Sequence, residues 1–177
     1  MVAVPQIVPA LSKKKPITDE HIVEVRPSGE VVWRWSTGLH LDQFGLLEEG
    51  LNLWQELIEE TGGLRAGFIT INDMAPIGSN KWFDAGDRRF HPDNIVIDSR
   101  EASFIAIIEK ASGDIVWRIG PDYPTQTSPE LRPRFDTYVP RPIDQTSGQH
   151  DAHIIPKGLP GAGNLLVFDN VAPSGYP

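Results

Sequence analysis

One short unit constrains this chain more than any other feature. Ser28-Gly29-Glu30-Val31-Val32-Trp33-Arg34 returns, position for position, as Ser112-Gly113-Asp114-Ile115-Val116-Trp117-Arg118. An alternating apolar strand precedes each copy, His21 to Val25 and Ser103 to Ile108. The Gly stands where a turn needs positive φ, so each copy predicts a β-hairpin. A hairpin cannot bury both of its faces alone; repeated hairpins become stable when stacked on neighbours. The offset between the copies is about twice the ~40–50 residues of a propeller blade. The expected fold class is therefore all-β, a β-propeller segment with one inserted amphipathic helix. A β-sandwich in which the motif recurs by coincidence is the competing reading, and the Trp at the same strand position favours radial stacking.

The rest of the chain fits around that unit. Residues 1–16 read as an N-terminal linker or extended edge, and 17–177 as a partial propeller domain. Phe44, Leu47, Leu51, Trp54 and Ile58 recur at three- and four-residue intervals between acids, which predicts an amphipathic helix from Leu41 to Glu60, stopped by Gly62-Gly63. Trp54 is expected as a core anchor. Strand signals cover Ala66 to Asn72, Asn94 to Ile97, Ser103 to Ile108 and Asp114 to Ile119, with a loop from Gly78 to Asp93. Gly120 to Thr146, rich in Pro and polar residues, reads as a surface excursion. A last hairpin joins His153-Ile-Ile155 to Leu165-Leu-Val-Phe168. It leaves a four-stranded blade half built, so the sequence is expected to be part of a longer chain.

Composition narrows the function classes. The 16 basic and 24 acidic side chains leave a net charge of −8, a poor match to nucleic acid or an anionic membrane surface. The 16 Gly and 16 Pro suit short strands and many turns better than a helix bundle. With no cysteine, thiolate metal sites, thiol nucleophiles and disulfides are excluded. No run approaches the ~18 apolar residues of a membrane span. Met1 to Leu11 lacks a basic start and is interrupted by Pro5 and Pro9, so no signal peptide is visible.

Several segments, in order, resemble the bacterial arylsulfotransferase (aryl-sulfate sulfotransferase) family. They are Trp33-Arg-Trp-Ser-Thr-Gly-Leu-His-Leu-Asp-Gln-Phe44, Asn80-Lys-Trp-Phe-Asp-Ala-Gly-Asp87, Arg89-Phe-His-Pro-Asp-Asn94, Asp98-Ser-Arg100 and the run from Gly148-Gln-His to Phe168-Asp-Asn170. The resemblance spans about residues 20 to 176. It implies a six-bladed propeller that moves a sulfuryl group from a phenolic sulfate donor to a phenol acceptor, without a nucleotide and with no cofactor. It implies His150 as the nucleophile, carrying a transient sulfohistidine. Arg100 and Asn72 would hold the sulfate oxygens, and His40 would serve the phenol oxygen as acid or base. Thr70 and His153 would line the substrate. The resemblance also implies a periplasmic or extracellular protein, and a homo-oligomer is left open.

Each of these residues has a plainer reading. His150 could cap a strand after a Gly-Gln turn, Arg100 could pair with Glu101 or Asp98, and Asn72 could be a turn residue. His150 and His153, three apart, have no third ligand at metal spacing. His91 reads as structural and His21 as an exposed strand start. The chain also departs from the family. Thr70 stands where the family has a His two residues before the Asn, Asp73 replaces a Ser, Leu39 replaces an acid, and Val171-Ala172 replace Gly-Gly. Those departures motivate a second hypothesis, a non-catalytic propeller acting as a binding or scaffold module. A weaker third is a quinoprotein-like dehydrogenase, whose turns share a Gly-x-x-x-Trp docking pattern.

Overall fold

The structure, a computed structural model, describes residues 2–6, 8, 11–12, 17–44, 52, 55–56, 58–59, 70–99, 104–119 and 148–170. Among the described residues nine strands form three antiparallel sheets, so the fold is all-β. Described residues up to Thr70 belong to one compact unit and those from Ile71 onward to another.

In the first unit β1 (Val2–Gln6), β2 (Ile17–Val25) and β3 (Val31–Ser36) form a three-stranded sheet in that order. The β2–β3 hairpin turns at Gly29, whose φ of +89° is the left-handed conformation Gly adopts without a Cβ penalty. A bulge interrupts the ladder between Glu24 and Val25. The expected exposed His21 is instead buried. Its ring lies 3.6 Å from the buried Asp19 carboxylate and 3.5 Å from the Arg34 guanidinium. Asp19 also accepts hydrogen bonds from the Thr37 hydroxyl and the Gly38 N–H. His21 is thus an internal polar group whose Nε2, although near the Asp19 carboxylate, makes no hydrogen bond among the described residues. After β3 come two short 3₁₀ turns, Thr37–Leu39 and Leu41–Phe44. Of the expected helix, residues 52, 55, 56, 58 and 59 are helical and Ile58 is buried; Trp54 lies outside the described residues.

The second unit holds a four-stranded meander, β4 (Asp73–Pro76), β5 (Ile95–Ser99), β6 (Phe104–Ile108) and β7 (Ile115–Ile119), in chain order. The first of these differs from the sequence reading. Thr70, Ile71 and Asn72 are not in a strand, and the strand begins at Asp73. Pro76 can end it because β4 is the edge of its sheet, where a missing N–H removes no ladder bond. The third sheet is the hairpin β8 (Gln149–Ile154) and β9 (Leu165–Asp169).

One core joins the meander to the hairpin. Ile77, Val96, Ile105 and Ile107 meet Ala152 and Ile154 of β8, with Trp117, Phe90, Leu165 and Val167 packed around them. Fully burying an aliphatic side chain is worth about 1.5–3 kcal/mol, so this cluster fixes β8 against β4 and β5. The loop between β4 and β5 is organised by the buried Asn80. Its carbonyl oxygen caps a one-turn helix, Lys81–Asp84, by accepting from the Trp82 and Phe83 N–H groups at 3.0 Å. Its amide donates to the Gly78 and Phe90 carbonyls. Trp82 then donates to the Gly163 carbonyl at 2.6 Å, tying this loop to the β8–β9 connection. The excursion expected from Gly120 to Thr146 lies outside the described residues.

Candidate functional site

The start of β8 is irregular. The β8–β9 register runs Gln149↔Asp169 and His150↔Phe168, then shifts before resuming at His153↔Leu166. Inside that bulge Asp151 adopts φ +53°, the only positive φ at a non-Gly position among the described residues. Asp is one of the few side chains that enters this region at modest cost. The bulge begins directly after His150, which still pairs with Phe168.

Two buried polar residues hold the bulge in place. Gln149, fully buried, donates from its amide to the Ser99 carbonyl at 2.8 Å and the Phe104 carbonyl at 3.2 Å. It thereby joins both ends of the segment 100–103 that links β5 to β6. Asp98, also 0% exposed, accepts from the Ala152 N–H at 3.0 Å through Oδ2. Burial pushes its carboxyl above the ordinary carboxylate range. The Ala152 N–H, the Asn72 amide and His150 oppose that shift, while Asp73 adds to it. Asp98 Oδ1 is buried and makes no hydrogen bond of good geometry among the described residues, although the Asn72 amide is near enough to favour its charged form.

Asn72 completes the arrangement. Its backbone N–H donates to the Asp98 carbonyl at 2.8 Å, which sets it beside β5 just ahead of β4. Its side-chain amide nitrogen lies against His150 Nδ1 and donates to the Gln149 carbonyl at 3.3 Å. Asn72 and His150, 78 residues apart in the chain, are therefore in direct contact. His150 is half-buried, and its Nε2 has no hydrogen-bond partner among the described residues.

The remaining sequence candidates fall elsewhere or are not described. His153 turns its Nδ1 back onto Asp151, 2.8 Å from the carbonyl and 3.3 Å from a carboxylate oxygen, and so closes the bulge. His40 belongs to the first unit, where its ring stacks on Trp35 at 4.8 Å and its Nδ1 meets the Ser36 carbonyl at 2.8 Å. Thr70 is half-buried at the end of that unit. Arg100 lies outside the described residues. Among the described residues no three His, Asp or Glu side chains gather as a metal site would require, and none of their helices is long and apolar enough to cross a membrane.

Sequence reasoning missed the roles of Asp98, Gln149 and Asp151. One signal was available for the first: an acid inside the apolar run Ile95-Val-Ile-Asp98 is out of pattern for a buried strand. Nothing local marks Asp151 as left-handed.

Comparison with known proteins gives one positive finding. No curated protein and no solved structure matches the chain. Residues 2–176 match the model of the family described as Arylsulfotransferase (ASST). With nearly the whole sequence covered, this chain belongs to the arylsulfotransferase family.

Proposed function

We propose that the chain transfers a sulfuryl group from an aryl sulfate to a phenol, without a nucleotide, through a sulfohistidine on His150. The observation that carries this reading is the contact of Asn72 with His150 Nδ1, with no hydrogen-bond partner at Nε2 among the described residues. In the first step the Nε2 lone pair attacks sulfur, the S–O bond to the aryl group breaks, and its electron pair leaves with the phenolate. In the second, the acceptor phenol oxygen attacks sulfur, loses its proton to a base, and returns the N–S electron pair to Nε2. Two displacements at a positioned imidazole replace one encounter of three groups.

Attack through Nε2 requires the ring proton on Nδ1. In the structure the Asn72 amide nitrogen faces Nδ1, so a proton on Nδ1 requires the amide to turn and accept it through its carbonyl oxygen. Arg100 is assigned to the sulfuryl oxygens, whose planar spacing suits a guanidinium fork. His153 is assigned to the edge of the substrate site. The two sheets of the second unit are read as neighbouring propeller blades, and the working compartment as periplasmic or extracellular.

The test is intact-protein mass spectrometry after incubation with 4-nitrophenyl sulfate. The wild type should gain one sulfuryl group, and His150→Ala should gain none. An unmodified wild type would sink the proposal. If Thr70→His alone then becomes modified, the non-catalytic reading holds for the natural chain.

A further inference from the structure

We propose that Phe168, with Leu166 beside it, is the platform on which the aromatic ring of donor and acceptor rests while the reacting end meets His150. This rests on the sulfuryl-transfer reading above and names the residues of that site that select an aryl group.

The placement follows from the register of the last hairpin. Phe168 stands directly across from His150, and Leu166 across from His153. Between those pairs Asp151 and Ala152 together oppose Val167, the two-against-one count of a bulge. Residues three apart on a regular strand point to opposite faces, and the extra residue brings His150 and His153 onto the same one. The other face belongs to the core. Gln149, Ala152 and Ile154 are buried, and Leu165 and Val167 pack on the shared cluster. The outer face therefore carries two rows, imidazoles on β8 and apolar side chains on β9. Side chains directly opposite have Cβ atoms about 4.5–5.5 Å apart, which sets Phe168 next to His150.

Core packing does not account for this row. Phe168 is 62% and Leu166 50% exposed, and Phe168 is the most exposed aromatic side chain among the described residues. Trp82, next at 41%, is held by its hydrogen bond to Gly163. Single apolar side chains scattered on a surface need no explanation. Here two of them face two histidines, and the chemistry at His150 sets the occupant. A molecule that reacts there has a sulfate or hydroxyl at one end and a flat apolar ring at the other. The reacting end goes to the imidazole row, and the ring lies stacked or edge-on against Phe168. The phenolate leaves from the side of sulfur opposite Nε2 and the acceptor enters by that same side, so one platform serves both. The ring lies away from the bonds that change, so it is held equally before and in the transition state.

The experiment separates binding from chemistry. Release of 4-nitrophenolate during loading, and discharge of the loaded protein to phenol, are each timed against substrate concentration in single turnovers. In Phe168→Ala the half-saturating concentrations of 4-nitrophenyl sulfate and of phenol should both rise about tenfold, with saturating rates near wild type. Phe168→Trp should restore both, and Leu166→Ala should shift both the same way by less. With most of its surface already exposed, Phe168 can be removed at little cost in thermal midpoint. Unchanged half-saturation, or a fall in the saturating rates alone, overturns the platform and leaves the transfer reading standing. So does a change confined to sedimentation, which would give the face to a second copy of the chain. A wild type that never loads overturns the transfer reading, and equilibrium dialysis then decides the platform by itself. Wild type should bind 4-nitrophenol about tenfold more tightly than Phe168→Ala; equal affinities overturn the platform.

Discussion

The chain contains two kinds of kinked hairpin, and they are kinked for different reasons. The repeated unit gives β2–β3 and β6–β7, with Trp33 opposite Glu24 and Trp117 opposite Ile107. Each has a bulge one pair nearer the turn, between Glu24 and Val25 or Ile107 and Ile108, and a Gly at φ +89° or +85°. In both, the N–H of the residue after the first strand donates to the carbonyl of the repeat's acid, Arg26 to Glu30 and Glu109 to Asp114. The second turn is one residue longer, and its Gly113 N–H reaches back to Glu109. The bulge survives that insertion, so it belongs to the repeat and not to one loop length. In β8–β9 the kink has no Gly at its centre. Asp151 takes the left-handed conformation, two histidines flank it, and buried Asp98 and Gln149 hold the strand from outside. The β8–β9 bulge is supported from outside and carries the histidine proposed as nucleophile; the bulge of the repeat is supported by its own turn.

Substitutions can break this contrast. The largest effect is expected at Asn72. Asn72→Ala should lower sulfuryl transfer by about 10²–10³ while the thermal midpoint changes little, as paired rate and melting measurements would show. Trp117→Ala should do the reverse, costing about 2–3 kcal/mol in denaturant unfolding because Trp117 packs on Phe90 and the shared core. The rate per folded molecule should stay near wild type. If the two outcomes were exchanged, the hairpins would have been assigned the wrong way round.

Smaller effects sharpen the same contrast through sign. Gly113→Ala should destabilise by about 1 kcal/mol, since φ +85° suits only Gly there. Asp151→Gly should stabilise by about 0.5 kcal/mol, because it relieves a left-handed Asp. The least abrupt effect is a pH slope. Asp98 has its pKa raised in the folded state, so its favourable contribution is complete below the unfolded carboxylate value. It is lost as pH rises through the folded one. Asp98→Asn should therefore gain on wild type in unfolding free energy between acid and neutral pH. A parallel pair of curves would remove the buried charge as the cause.

What the sequence made legible follows from how local each feature is. The repeated hairpins could be read because Ser-Gly-acid and an alternating strand are adjacent in the chain. β4 could not, because Asp73 and Pro76 look like breakers until an edge position makes them harmless. The identity of His150 as a candidate came from the family resemblance, whereas its setting came from contacts 54 to 78 residues apart. No periodicity reports that Asp98 reaches Ala152 or that Asn72 reaches His150. The left-handed Asp151 is imposed by those distant bonds and leaves no local mark.

The most direct test of the histidine assignment is a single-turnover chase with peptide mapping. Protein is mixed with limiting 4-nitrophenyl sulfate, quenched, digested and sequenced by mass spectrometry, with half of each sample first exposed to phenol. One sulfuryl group per chain should appear on the His150 side chain and disappear on exposure to phenol, with phenyl sulfate formed in equal amount. A sulfuryl group on any other residue, or one on His150 that phenol does not discharge, would contradict it.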